Sequence, residues 1–328
     1  MKKMEQKSKL SKNIAVKIIP KDDAFHGSKK AISAEWWYFD AVFSNKYSVH
    51  IGFRTFSKKS LGTIMPFLEI YKDGKLEYEG KKRFRFKNFK TSSNFPHVKV
   101  FNSFLLEFDQ DRYKKNDEWI YKIKMKMGEN AVDLVFKTIT KGWKIETEKE
   151  SWAVGLPKAK VSGFIKLRGK MIEVNGIGYH DHNWNFSFLT ALNYAKAWYW
   201  GKIRSKNFNI VWANIVKKDD RWDLIAVLNI DNGSFYNIKY ENIIFKPNKY
   251  FKFKRKKIPS EFLLNFEDVV NELPINAKII MNLKDFHYSS VLTAPYYRYH
   301  VNTSGFISVD NKKEKLSNME IIEFISFK

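Results

Sequence analysis

AEWWYFDAVF at residues 34–43, followed at 47–56 by YSVHIGFRTF, decides the fold class. Both runs are rich in aromatic and β-branched residues, and only Ser44-Asn45-Lys46 separates them, so they read as two antiparallel strands. The same style continues outward. LEIYKDGKLEYEG (68–80) carries Asp73-Gly74 at its turn, a strong hairpin signal. WIYKIKMKM (119–127) and AVDLVFKTI (131–139) alternate around Gly128, and SGFIKLRGKMIEVNG (162–176) turns at Gly169-Lys170. AWYWGKIR (197–204), FNIVWANIV (208–216) and WDLIAVLNI (222–230) form a meander. Helical periodicity is nearest in EFLLNFEDVVNEL (261–273), which reads as one short helix.

Short strands joined by tight turns give an all-β protein of antiparallel barrels or sandwiches. At 328 residues the chain exceeds one small core, and two roughly matched halves suggest two such units. The break falls in Ala153-Val154-Gly155-Leu156-Pro157, giving domains 1–156, with a basic lead-in of about twenty residues, and 157–328.

Composition narrows the function. Aromatics make up 16% of the chain, enough for many strands or for an aromatic-lined cavity. There is no cysteine, which excludes disulfides and thiolate–zinc sites and suits the cytoplasm. No apolar stretch approaches a membrane span, and the basic N-terminus lacks the apolar core of a secretory signal. The net charge of +24 is mostly lysine spread along the chain. Such a field would favour peripheral contact with an anionic membrane surface. It makes nucleic acid a weaker candidate, because no OB-type or RRM-type motif accompanies it. The strips 81–90 (KKRFRFKNFK) and 251–257 (FKFKRKK) read as half-buried strands with Phe inward and Lys/Arg outward.

Chemistry concentrates in GYHDHNWN, residues 178–185. In an extended chain His180, His182 and Trp184 share one face, and Tyr179, Asp181 and Asn183 the other. A His-x-His pair could bind zinc with a third ligand from His50 or His26, but no carboxylate stands at metal-ligand spacing. A polar strand end with histidines bonded to backbone is the bland reading. An acid/base site needs an imidazole and a partner that fixes its tautomer; Asp181 would serve if Gly176 and Gly178 let the chain bend. Glu35 opens a run of four aromatics, so it is either paired, with Arg54 as the candidate, or kept protonated by burial.

Asp23-x-x-His26, Glu35-Trp36-Trp37-Tyr38, Phe53-Arg54 and Gly176-x-Gly178-Tyr179-His180-Asp181-His182-Asn183-Trp184 occur in this order. Together they resemble the lipocalin-like family of carotenoid 1,2-hydratases and AttH-type proteins, to which kievitone hydratase, decalin-forming Diels–Alderases and, more distantly, tocopherol cyclase are similar. The resemblance covers residues 20–215 and implies two tandem calycin-like barrels with few helices. It also implies hydratase, cyclase or isomerase chemistry on an isoprenoid or polyketide-like substrate, without metal or organic cofactor. The residues it implies as catalytic are His182 and Trp184, supported by His180, Asp181 and Glu35. Trp36, Trp37, Tyr38, Arg54, Tyr179, Trp198 and Trp200 are candidates to line the substrate cavity. The family's further Tyr and Asp acids are absent from Asn207–Asn214. That departure puts strict carotenoid hydration in doubt and favours the alternative, a binding protein for a lipid or prenyl ligand.

Overall fold

The computed structural model describes residues 14–27, 33–58, 61–147, 150–231, 233–291 and 294–327. The first thirteen residues of the basic lead-in therefore lie outside it. The chain divides into two units, Met1–Asn193 and Tyr194–Lys328, each built on one antiparallel sheet. The all-β, lipocalin-like architecture is borne out, with short helices at Gln110–Asn116 and Phe188–Tyr194.

In the first unit a 14-stranded sheet is mostly a meander. A long-range join at its centre sets the strand Ser33–Phe43 beside Lys170–Phe186, and a shorter one pairs Val16–Lys17 with Trp143–Glu146. Alternate residues of these strands face a core of Trp37, Phe39, Ile51, Phe53, Ile123, Phe136, Leu156 and Trp184. In the second unit the strand Ala195–Arg204 pairs with both Phe208–Lys217 and Met319–Ser326, and the core gathers Tyr199, Trp212, Phe262 and Tyr299.

Three local expectations change. The segment 261–273 is not a helix: it covers the end of the strand Lys256–Val270, the turn after it and the first residue of the strand Leu273–Val291. Phe262, Leu264 and Phe266 are its buried apolar positions, a period of two, and pairing on both sides satisfies the backbone. Next, the division lies after Asn193, whereas residue 156 sits inside the strand Ser151–Leu167. Ala153–Pro157 punctuates that strand because register shifts occur between Ala153 and Leu156 and again between Leu156 and Ala159. Gly and Pro therefore mark bulges there and not a linker. The hairpin turn, lastly, is Arg168-Gly169, both at positive φ, one residue earlier than Gly169-Lys170.

Candidate functional site

The long-range join brings the two motifs together residue against residue. His182 lies opposite Trp37, His180 opposite Phe39, Asp181 opposite Tyr38 and Tyr179 opposite Asp40. The alternation read from the sequence holds, so the cluster splits across the sheet. Glu35, Trp37, His180, His182 and Trp184 point inward, where rings of Trp37, Phe39 and Trp184 contact the two imidazoles. Trp36, Tyr38, Tyr179, Asp181 and Arg54 belong to the other face.

Gly176 and Gly178 do not bend the strand. A Cβ at Gly176 would lie 2.1 Å from the Val42 carbonyl oxygen, and one at Gly178 2.6 Å from that of Asp40, so both serve close strand approach. Gly155 acts similarly in the bulged strand: its bare Cα leaves room for the His180 ring and the Tyr121 hydroxyl.

Inside, His182 Nε2 lies 2.9 Å from Glu35 Oε1 and its Nδ1 3.4 Å from Asp23 Oδ1. Asp23 arrives on the 3₁₀ turn Pro20–Asp23, which the Trp37 indole N–H anchors by donating to the Asp23 carbonyl at 3.0 Å. The other Asp23 oxygen faces His180 Nε2 at 2.9 Å and accepts from the Tyr121 hydroxyl. His180 Nδ1 is 2.9 Å from the Tyr38 carbonyl oxygen. Glu35 also accepts from the backbone N–H groups of His26 and Gly27, at 2.8 and 3.0 Å. The His26 ring, about a quarter exposed, is 3.6 Å from Glu35 and stacks on Trp184 with centroids 4.1 Å apart.

Electrostatics follow from these contacts. Burial opposes charge on His182, yet attraction to Asp23 and Glu35 outweighs it and pushes the imidazole up to about 9. Burial likewise opposes ionised Asp23 and Glu35. His180 and His182 nevertheless hold Asp23 well below the usual carboxylate range, and His182 with His26 lowers Glu35. The site is therefore an imidazolium between carboxylates, walled by the stacked Trp37 ring 4.5 Å away and by Trp184 at 5.2 Å.

Several sequence expectations resolve differently. Glu35 is paired, but with His182: Arg54 lies opposite Trp36 on the outer face, its guanidinium 5.8 Å from the Phe67 ring centroid. Nor is Glu35 held protonated by burial, since its pairing lowers the carboxyl. Asp181 faces away from the two imidazoles, where it accepts from the Trp152 indole N–H at 2.9 Å and the Tyr179 hydroxyl at 2.8 Å. Tyr38 donates to Asp40 at 2.9 Å, and Trp36 packs edge-on against Phe186. Trp198 and Trp200 lie on the strand Ala195–Arg204 of the second unit. His50 turns to Glu69 at 3.2 Å, so it is not a third ligand for the His-x-His pair. His180 is likewise committed to Asp23. Ligand atoms of His26, Glu35 and His182 do lie within 4.8 Å of one another, a set that could hold one divalent ion. The residue whose role the sequence did not disclose is Asp23; its signal was the Asp-x-x-His spacing to His26.

No family model matches the chain. A stretch of 97 residues is 30% identical to the quinolone epoxide rearrangement protein PenF of Penicillium thymicola, spanning 29% of this chain and 26% of that protein. Whole-chain likeness lies in the fold. An AttH protein of Nitrosomonas europaea superposes with a TM-score of 0.64 at 15% identity, over 95% of this chain and 100% of that one. CghA with Sch210972 gives 0.66 at 10% identity, over 96% and 95%. Kievitone hydratase of Nectria haematococca gives 0.59 at 11%, over 97% and 96%. The resemblance carried by Glu35–Tyr38 and Tyr179–Trp184 is thereby borne out at the level of fold: the chain shares the architecture of the AttH protein, CghA and kievitone hydratase.

Proposed function

We propose that this protein is an acid/base isomerase or hydratase for a hydrophobic, isoprenoid- or polyketide-like substrate, acting without an organic cofactor. The observation that carries the reading is the His182–Glu35 contact of 2.9 Å inside aromatic walls, with Asp23 behind the imidazole. His182 supplies a proton and Glu35 accepts the one returned. A proton moved between two substrate atoms gives isomerisation; capture of the cationic intermediate by water gives hydration. Two carboxylates around one imidazolium, together with the faces of Trp37 and Trp184, favour positive charge developing on the substrate. Positioned proton transfer accounts for ~10²–10⁴-fold, and substrate folding against the walls adds to it. The rearrangement in PenF's name, the hydration in that of kievitone hydratase and the small-molecule complex of CghA support chemistry of this kind.

One observation favours the binding alternative. The His182 side chain is fully enclosed and Glu35 is 4% exposed, as a structural lock would be. Purified protein incubated with polyene, enone and epoxide substrates and followed by mass spectrometry separates the two. Products of unchanged mass, or heavier by one water, that vanish in His182→Ala support the enzyme. A ligand that co-purifies and returns unaltered, with no turnover of any panel member, replaces it with the carrier.

A further inference from the structure

The lysine excess has a focus in the second unit that the acid/base site does not use. On the sheet face opposite the Phe262–Met281 core, Ile244 is 63% exposed and Ile280 38% exposed. Leu263 is directly opposite Ile280 across neighbouring strands, with Lys246 on the other side of Leu263. Phe306 lies opposite Lys278, one pleat from Ile280, and Lys315 pairs beyond it. Ile244 and Phe306 fall in one cross-strand row, through Asn265 and Lys278, and Leu263 and Ile280 in the next, so the four form a stripe two rows wide over four adjacent strands. Lys246, Lys278 and Lys315 are exposed along this stripe, and the Lys313 ammonium sits 3.8 Å over the Phe306 ring. The acids of this face are Glu261, engaged by Lys249 and Asn248, and exposed Glu267.

We infer that this face docks on an anionic lipid surface. Apolar side chains within a frame of flexible ammonium groups fit a bilayer interface: the stripe enters the headgroup–acyl boundary while lysine stems reach the phosphates. Charge complementarity selects the occupant, since the surrounding field is positive and the frame is lysine, not the arginine fork used to read bases. The inference is independent of the chemistry assigned to His182.

The full chain is sedimented with vesicles of phosphatidylcholine alone or with added phosphatidylglycerol. It binds only the anionic vesicles, and salt releases it. Lys278→Glu with Lys315→Glu weakens binding about 20-fold or more. Ile244→Asp with Ile280→Asp, which leaves every lysine in place, weakens it as well. Lys122→Glu with Lys126→Glu, an equal charge change on exposed lysines of the first unit, has little effect; melting curves confirm that all variants fold. No binding to anionic vesicles at low salt overturns the inference. So does equal loss in the first-unit control, or retention of an oligonucleotide through Lys278 and Lys315 without vesicle binding.

Discussion

His182 Nε2 and Glu35 Oε1 stand 2.9 Å apart although 147 residues separate them in the chain. Register alone produces the contact, since Trp37, two positions beyond Glu35, lies directly across from His182. Glu35→Gln keeps a hydrogen-bonding side chain and removes one of the two charges that hold the imidazolium. The expected outcome is a lower His182 pKa, seen by NMR titration, with turnover of any accepted substrate reduced ~10²–10⁴-fold. Full turnover in this variant would move the proton chemistry elsewhere.

Stability should depend on pH with a sign set by the same cluster. Asp23 and Glu35 titrate lower when folded, so their contribution is present above their unfolded values near 4 and declines as pH falls through the folded ones. His182 titrates higher, at about 9, so its contribution is complete below about 6.5 and disappears as pH rises from there through 9. Stability to denaturant is therefore expected to peak between about pH 5 and 6.5. In His182→Gln the decline between about pH 6.5 and 9 should flatten; an unchanged slope would show that His182 is not held as the cation.

Asp23 is the keystone of the packing beneath the pair. His180, Tyr121 and His182 all address its carboxylate. Asp23→Ala strands those groups in the core and should cost about 3–5 kcal/mol in urea unfolding. Asp23→Asn, which retains shape and one acceptor, should cost less. Equal losses would mean that charge, not packing, holds the 3₁₀ turn in place.

Divalent metal gives a direct check on the alternative use of His26, Glu35 and His182. Zinc needs an imidazole that has lost its proton, so it competes with the imidazolium. Added Zn²⁺ should inhibit, more strongly at alkaline pH, and chelator should leave activity unchanged. Activation by metal would assign the step to the ion.

The turn that ends the misread helical segment is testable too. Asn271 and Glu272 both have positive φ, 51° and 66°, the geometry of a two-residue hairpin turn. Glycine suits the second position better than glutamate, so Glu272→Gly should raise stability by about 0.5–1 kcal/mol in a thermal melt.

EFLLNFEDVVNEL shows where local reading fails. Its leucines, valines and phenylalanines fit either period over one or two turns, and only strands pairing on both sides select the extended form. Arg54 and Asp181 show a related limit. Each is a plausible partner of its presumed mate by strand position or sequence neighbourhood, yet each projects from the opposite face.

What the sequence determined by itself was the strand character and the two-faced division of His180, His182 and Trp184 from Tyr179 and Asp181, because alternation is a property of a single extended chain. The paired motifs also carried the fold group. Tertiary structure decided who meets whom: Asp23 beneath the imidazoles, Glu35 beside His182, and a division after Asn193 where a bulged strand had resembled a linker. These outcomes depend on long-range register, which is fixed by the whole sheet's packing against one core and has no counterpart in any short window of residues.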